Sequence, residues 1–151
     1  MKKINILAID PAEKTGWAIN NQIYGVWDLK LKRDESFGSK LLRFKSHLSE
    51  SVEKGKIGLI VFERPSGRMP AAIMSHAKLV AMIETFGVEN DIPTRGYSAT
   101  EIKKFATGKG NSNKKVMLQY AVRKLKYVGN DDNEVDALFL LLLAKQDLNI
   151  K

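Results

Sequence analysis

INILAIDPAEKTGWAI, residues 4–19, is the stretch that decides the fold. Residues 4–9 form a short, mainly apolar run rich in branched side chains, which is typical of a β-strand buried on both faces. Asp10 follows directly, and Pro11 has no N–H with which to continue strand pairing. Asp10 is therefore predicted to lie at the edge of a sheet, where an isolated acid is also explained as a turn-capping residue.

A hairpin follows this acid. Residues 15–19 return to a strand-like pattern, and residues 23–29 predict a further strand. Asn20 and Asn21 lie between them, and both tolerate positive φ, which favours a tight turn. The opening of the chain therefore predicts three strands, with the acid in the loop between the first two.

A second buried strand ends in the same way as the first. Residues 57–62 are apolar apart from one glycine and lead directly into Glu63, Arg64 and Pro65. In an open α/β sheet, functional groups collect at the carboxyl ends of the strands. If the strands that precede Asp10 and Glu63 are neighbours, the two carboxylates lie close together.

Helical patterns occupy most of the remaining chain. Ser98, with Glu101 three residues later, forms a capping box that begins a short helix ending near Gly108. Residues 92–97 predict a strand at which Pro93 indicates an edge or a first residue. Two further helices are predicted over residues 39–54 and 71–86, which Gly55 and Gly87 close. Another helix is predicted to begin near Asn113, and the last one follows the acids at 131–134. This alternation predicts an α/β fold, and the length predicts one domain, 1–151.

An acid cluster opens the last helix. Asp132 and Glu134 suit the positive end of a helix dipole. Asp136 lies where the helix becomes almost wholly apolar, and Asp is seldom buried unless it is paired or bound to metal. Together with Asp10 and Glu63, these residues form a candidate carboxylate site.

The chemistry of this site follows from its donor atoms. The chain has no Cys, and its His residues show no metal-ligand spacing. Oxygen-only ligands point to Mg²⁺, with Mn²⁺ as the alternative. Two such ions about 3.5–4 Å apart can activate water and stabilise the leaving oxygen in phosphodiester cleavage. The acids therefore predict a metal-dependent nuclease.

The charge of the chain favours a nucleic-acid partner. The 25 Lys and Arg residues against 17 Asp and Glu give a net charge of +8, which favours a polyanion. Residues 108–115, GKGNSNKK, combine free backbone N–H groups with three lysines at the start of a helix, an arrangement that suits phosphate. This segment lacks Walker A spacing, and a solvated basic loop is the alternative interpretation.

The sequence also bears on cellular setting. It opens without a secretory h-region, and its longest apolar run, residues 137–144, is too short to cross a bilayer as a helix. We expect a soluble protein without a membrane partner, in the cytoplasm of a bacterium or a virus-infected host cell.

Four segments, in this order along the chain, resemble the RuvC-type Holliday junction resolvases of the ribonuclease H-like superfamily. They are ILAIDPAEKTGWAI (6–19), IVFERP (60–65), YSATEIKKFATGKGNSNKK (97–115) and DDNEVDALFL (131–140). The compact length is more similar to bacteriophage and viral members. The resemblance implies a mixed five-stranded sheet of order 3-2-1-4-5 flanked by helices, a homodimer, and paired nicks in a four-way DNA junction.

The resemblance also implies roles for single residues. Asp10, Glu63 and Asp136 match the family's metal-binding acids, and Lys114 matches a lysine of the basic segment associated with catalysis and DNA contact. Two departures bear on details: Ala12 stands where the family loop often has glycine, and Ser66 replaces a junction-stacking aromatic residue. The basic residues that we expect to contact DNA are Lys14, Arg64, Arg68, Lys103, Lys104, Lys109, Lys114 and Lys115.

The fourth metal ligand is the largest departure from the family. The family acid lies three residues before the last Asp, where this chain has Asn133. Asp132 is the replacement that we favour, because residues i and i−4 share a helix face. Asn133 and Glu134 are the alternatives.

The leading hypothesis is an endonuclease that resolves Holliday junctions or other branched DNA with two Mg²⁺ ions. One alternative is a nuclease of the same fold that cuts flap or fork DNA, or RNA, which the missing aromatic residue at Ser66 favours. The other is a non-catalytic junction-binding protein, which Asn133 favours.

Overall fold

The computed structural model describes residues 3–20 and 22–150, in which three strands open the chain, helices and strands then alternate, and three helices close it. The strands are β1 (Asn5–Asp10), β2 (Lys14–Ala18), β3 (Tyr24–Asp28), β4 (Ile57–Glu63) and β5 (Thr94–Tyr97). The helices are α1 (Phe37–Gly55), α2 (Pro70–Glu89), α3 (Ala99–Thr107), α4 (Lys114–Leu125) and α5 (Asp132–Asp147).

The strands form one mixed sheet of order β3-β2-β1-β4-β5, which confirms the predicted order. The β1–β2–β3 meander is antiparallel, whereas β4 lies parallel to both β1 and β5. In the parallel pair, Ile9 of β1 is the register partner of Phe62 of β4. The next residues along the two strands, Asp10 and Glu63, therefore leave the sheet side by side.

Two hydrophobic layers cover the faces of the sheet. Alternate residues of β1 point to opposite sides, as the strand period requires: Ile6 and Ala8 pack beneath α3, α4 and α5, whereas Leu7 and Ile9 pack beneath α1 and α2. This explains why the strand reads as a continuous apolar run. Helix α5 is buried along most of its length, as its apolar sequence predicts.

A close approach between α5 and β2 positions the end of the last helix. Gly16 is the register partner of Asp10, and a Cβ atom added to Gly16 would lie 1.9 Å from the carbonyl oxygen of Asn133. Only glycine permits this contact. The first turn of α5 is thereby held beside the end of β1.

Several predicted boundaries differ from the structure, and three of them concern a glycine or the start of a strand. Gly55 is the last residue of α1, and Lys56 is the C-cap in the left-handed region. Gly87 does not end α2, which continues to Glu89, because this glycine allows the chain before β5 to pack against the helix: an added Cβ would lie 2.7 Å from the Ile92 carbonyl oxygen. The strand β5 begins only at Thr94.

The predicted turn between β2 and β3 lies partly outside the described residues, since Asn21 is not among them. Asn20 is described, and its side-chain oxygen accepts hydrogen bonds from the backbone N–H groups of Gln22 and Ile23, both at 2.8 Å. These bonds are those of an Asx turn.

Helix α2 is apolar along its length, yet much of its surface is exposed. It is 20 residues long with a window of mean hydropathy 1.2, so that by length and composition alone it meets the criteria for a membrane span. A search for uninterrupted apolar runs does not find this helix, because polar residues interrupt its alanines and methionines. Its buried side, which includes Leu79, Ile83 and Phe86, packs in the layer beneath the sheet. The helix is therefore part of the fold, with 28% of that window buried.

Candidate active site

Asp10 and Glu63 form the buried centre of the site. Asp10 is 8% exposed and Glu63 is half-buried. Burial raises the pKa of Asp10 well above its usual range, and the charges of Glu63 and Asp136 raise it further. Burial also raises the pKa of Glu63, although the hydrogen bond with Asp10 opposes this shift. Both carboxyl groups are therefore harder to ionise than free side chains.

Helix α5 brings two further acids to this centre. Burial raises the pKa of Asp136 to about 7, and the negative charges of Glu63 and Asp132 contribute to the shift. The charge of Asp132 also raises the pKa of Asp10. The structure thus brings Asp10, Glu63, Asp132 and Asp136 within electrostatic range of one another, as the strand-end and helix-face arguments predicted.

The start of α5 shows what its other polar residues do. The Asp131 side chain is the N-cap and accepts hydrogen bonds from the backbone N–H groups of Asn133 at 2.8 Å and Glu134 at 3.3 Å. The Tyr127 hydroxyl donates a hydrogen bond of 2.7 Å to the Glu134 carboxylate. Glu134 is thus engaged by Tyr127, and Asn133 packs its backbone on β2. Among the acidic candidates for a fourth ligand, Asp132 is the one whose charge acts on Asp10 and Asp136.

Two lysines face the acids from the neighbouring helices. The Lys114 ammonium, in the first turn of α4, lies 3.0 Å from a carboxylate oxygen of Asp132. This hydrogen bond and ion pair raise the pKa of Lys114, and the charges of Asp136 and Asp10 act in the same direction. The half-buried Lys103 on α3 lowers the pKa of both Glu63 and Asp136 through its charge. Positive charge therefore surrounds a core of carboxylates.

The remaining basic candidates are exposed around this edge. Arg64 follows β4 directly and forms an ion pair of 3.1 Å with Glu101. The Glu101 carboxylate also accepts a hydrogen bond from the hydroxyl of Ser98, the N-cap of α3. Lys14 begins β2, the antiparallel neighbour of β1, and so lies at the same sheet edge as Asp10. The others are exposed side chains without a described contact to the acids: Arg68, Lys104, Lys109 and Lys115.

The donor set suits a hard divalent cation, since it consists of carboxylate oxygens, and a cation would lower the raised pKa values of Asp10, Glu63 and Asp136. Across residues 3–20 and 22–150, however, no three His, Asp or Glu side chains are arranged as ligands of one ion. One contact competes with a cation, because the Lys114 ammonium holds Asp132 in an ion pair. Metal binding would require Lys114 to release this carboxylate and any protonated acid of the cluster to lose its proton.

One site residue was missed by the sequence argument. His76 of α2 places Nε2 2.7 Å from the backbone carbonyl oxygen of Glu63, so that the ring nitrogen donates and the carbonyl accepts. Burial lowers the pKa of His76, which favours the neutral ring. The histidine therefore fixes the backbone that carries Glu63. No sequence signal pointed to it, because the contact joins residues 13 positions apart across a loop.

Comparisons with known proteins agree with the predicted fold. No protein-family model matches the chain, and neither does any curated protein. Among solved structures, Thermus thermophilus RuvC in complex with a Holliday junction substrate matches with a TM-score of 0.73 and 15% identity, covering 93% of this chain and 92% of that one.

Two further structures agree. Another Thermus thermophilus RuvC structure has a TM-score of 0.73 at 15% identity and covers 97% of each chain. The yeast mitochondrial Holliday junction resolvase Ydc2 has a TM-score of 0.63 at 15% identity, covering 91% of this chain and 76% of that one. The chain therefore has the ribonuclease H-like fold of the RuvC-type resolvases, as its motifs predicted.

Proposed function

We propose that the protein is a metal-dependent, structure-specific endonuclease that cuts branched DNA, with the Holliday junction as its preferred substrate. The observation that carries the proposal is the cluster of four interacting carboxylates at the ends of β1 and β4 and the start of α5, bordered by lysines. The shared fold with junction resolvases and the net charge of +8 support a DNA substrate.

In this proposal, Asp10, Glu63, Asp132 and Asp136 would hold two Mg²⁺ ions, with Mn²⁺ as a substitute. Such ions, when bound, supply water activation and charge neutralisation for phosphodiester cleavage. The buried acids would have to be deprotonated to bind these ions, although burial raises the pKa of both Asp10 and Glu63. Because Asp136 has a pKa of about 7, this step favours neutral or alkaline pH.

The lysines would act on the DNA rather than on the water. Lys114 projects an 83% exposed side chain from the first turn of α4, which places its ammonium within reach of a phosphate. A DNA phosphate would compete with Asp132 for this ammonium. The exposed Lys109 and Lys115 would position the backbone on either side.

We also propose that the protein acts as a homodimer in the cytoplasm, with α2 at the dimer interface. Met69, Met74 and Val88 are 70%, 61% and 81% exposed, and Ala77 and Ala81 lie between them on the exposed surface of the same helix. Small side chains permit close contact between helices, and a dimer would bury an apolar surface that monomers rarely expose. Two copies would supply the paired active sites that symmetric junction cleavage requires.

A second candidate is a nuclease that acts on flap or fork DNA or on RNA. The observation that favours it is Ser66, an exposed, small residue in the loop after Glu63. This loop offers no aromatic ring to stack on the bases at a junction centre.

The test uses the purified protein and its Asp10→Asn variant with labelled four-way junction, flap, duplex and RNA hairpin substrates, with and without Mg²⁺. We expect symmetric nicks in the junction that require metal, and that disappear in the variant while binding persists. Preferential cutting of flaps or RNA would establish the second candidate. Tight junction binding without cleavage in Mg²⁺ or Mn²⁺ would overturn the enzyme proposal in favour of a binding protein.

A further inference from the structure

A cavity of about 410 Å³ opens beside the acid centre, on the face of the sheet covered by α1 and α2. It begins at Pro11 and Ala12, which follow Asp10, and continues past Ser66 in the loop after Glu63. The rest of its lining is Glu13, Lys40, Ala72, Ser75, His76 and Leu79. The proposed roles of the carboxylates and lysines leave this cavity without a function.

Lys40 is the unusual residue of this cavity. It is 8% exposed, although lysine is rarely buried without a partner. Within the part of the chain that the structure describes, its ammonium makes no hydrogen bond or ion pair, and its one described contact is with the ring of Phe37, 5.2 Å from the ring centroid. No described buried nitrogen is both sealed from solvent and unpaired, so the ammonium retains access to open space. The cavity is the space that Lys40 lines.

The other polar groups of the cavity suit an anion. The Ser66 and Ser75 hydroxyls can donate hydrogen bonds. Lys40 is the only Lys or Arg among the described lining residues, and burial lowers the pKa of His76, which favours its neutral ring. Glu13 is exposed, and its charge is screened by water and salt.

The position of the cavity suits a DNA strand. Lys114 and Lys103 approach the acids from the helices on one face of the sheet, whereas Lys40 approaches from the opposite face. A strand whose scissile phosphate lies at the carboxylates would therefore meet a cationic group on each side of the sheet edge.

We propose that this cavity is a phosphate subsite, in which Lys40 binds a backbone phosphate next to the scissile one in the DNA strand. The inference rests on the proposed function, since it assigns the contact to the same substrate. The ammonium, which has no described ion-pair partner, would form a charge-assisted hydrogen bond to phosphate, with Ser66 as a second donor. Free inorganic phosphate offers the same chemistry, and the experiment distinguishes the two sources.

The experiment compares Lys40→Met with Lys78→Met in metal-free binding to a four-way junction over a range of salt concentrations. Lys78 is a matched control because its ammonium lies 4.5 Å from the centroid of the same Phe37 ring, yet it is exposed and does not line the cavity. We expect Lys40→Met to weaken binding by roughly tenfold. It should also reduce the slope of log affinity against log salt by about 0.9, the value of one phosphate contact. Lys78→Met should leave the slope unchanged.

Single neutral methylphosphonates at the phosphates flanking the scissile one identify the source. At one of these DNA positions, the methylphosphonate should weaken junction binding by the wild-type protein. It should cause no further loss of affinity in Lys40→Met. If no position does so while inorganic phosphate binds the DNA-free protein through Lys40, the DNA assignment is wrong. In Ser66→Ala, which changes an exposed side chain, the methylphosphonate at the same position should cause a smaller loss of affinity than in the wild type. This variant replaces Lys40→Met in the test if Lys40→Met fails to fold.

Cleavage is measured separately, so that the two proposals can fail independently. Metal-dependent cleavage together with an unchanged salt slope in both Lys40→Met and Ser66→Ala would overturn the subsite and leave the nuclease. A reduced slope in a protein that does not cut would support the subsite and overturn the nuclease.

Discussion

At the residue scale, the most consequential feature is that acids of like charge are buried together. Asp10, Glu63 and Asp136 all have raised pKa values, and burial is the first cause in each. Without a cation, folding therefore shifts each of these groups towards its protonated form. The same property that costs stability at neutral pH makes the cluster a strong binding site for a divalent ion.

The first prediction concerns stability against pH. The pKa of Asp136 is about 7 in the folded protein and 3.8 in its unperturbed state. Its contribution to the free energy of unfolding is thus fully present below about pH 4 and is lost as the pH rises through about 7. In the presence of a chelator, Asp136→Asn should be more stable than the wild type at pH 8 by a few kcal/mol, since each pKa unit corresponds to about 1.4 kcal/mol.

Urea unfolding curves of both proteins from pH 4 to pH 8 measure this difference. Addition of Mg²⁺ at pH 8 should stabilise the wild type more than the variant. Parallel stability profiles in the two proteins would show that Asp136 titrates normally.

The second prediction concerns the ion pair between Lys114 and Asp132. Both side chains are partly or largely exposed, at 83% and 39%, so the pair adds about 0–1 kcal/mol to stability. Lys114→Met should leave the unfolding midpoint almost unchanged but release Asp132. Calorimetry without DNA should then show Mg²⁺ binding a few-fold tighter, whereas junction affinity should fall.

Lys115→Met is the matched control, because Lys115 is exposed on the same turn of α4 and no ion pair of it is described. It should weaken DNA binding without changing Mg²⁺ affinity. Equal Mg²⁺ affinity in all three proteins would show that the ion pair does not hold Asp132 away from the metal.

At the scale of elements, the site depends on how α5 docks on the sheet. The acids of β1 and β4 are aligned by strand register, but Asp132 and Asp136 reach them only because α5 contacts β2 at Gly16. The N-cap at Asp131 then determines where the helix begins and so which of its acids face inward. A shift of one residue in this start would turn Asp136 by about 100° around the helix.

The third prediction tests this contact. Gly16→Ala would bring Cβ to 1.9 Å from the Asn133 carbonyl oxygen, so the first turn of α5 must move. We expect a loss of about 1–3 kcal/mol in the free energy of unfolding and a larger proportional loss of Mg²⁺-dependent cleavage. Gly38→Ala is the control, since Gly38 lies in α1 and its added Cβ comes no closer than 3.3 Å to the Ser36 side chain.

The control should keep full cleavage and gain slightly in stability, because alanine favours a helix over glycine. Thermal unfolding and single-turnover cleavage measure both variants. Wild-type behaviour of Gly16→Ala would mean that the α5 contact is not required for the site.

At the scale of the whole molecule, the apolar surface of α2 predicts association. If the dimer forms there, Ala81→Glu should place a charge in the interface and yield a monomer near 16.9 kDa, where the wild type has about twice that mass. Val128→Glu is the control, because Val128 is 90% exposed but lies between α4 and α5. Sedimentation equilibrium distinguishes the species. A monomeric wild type, or a dimeric Ala81→Glu, would contradict the proposed interface.

The sequence by itself determined the sheet and pointed to the acids of the site. Apolar runs that end in an acid and a proline are local patterns, so the strands, their order by resemblance, and the acids Asp10 and Glu63 were all predictable. Ser98 was recognised as an N-cap for the same reason, since capping depends on residues three positions apart, and the helix start near Asn113 was also predicted.

Only the tertiary structure decided how the elements complete the site. The inward face of α5, the support of Glu63 by His76, and the buried Lys40 all depend on contacts between residues far apart in the chain. Gly87 shows the same limit, because a glycine within a helix and one at its end look alike until the neighbouring strand is placed. Local pattern specifies what each segment prefers, whereas burial and close packing are properties of the assembled layers.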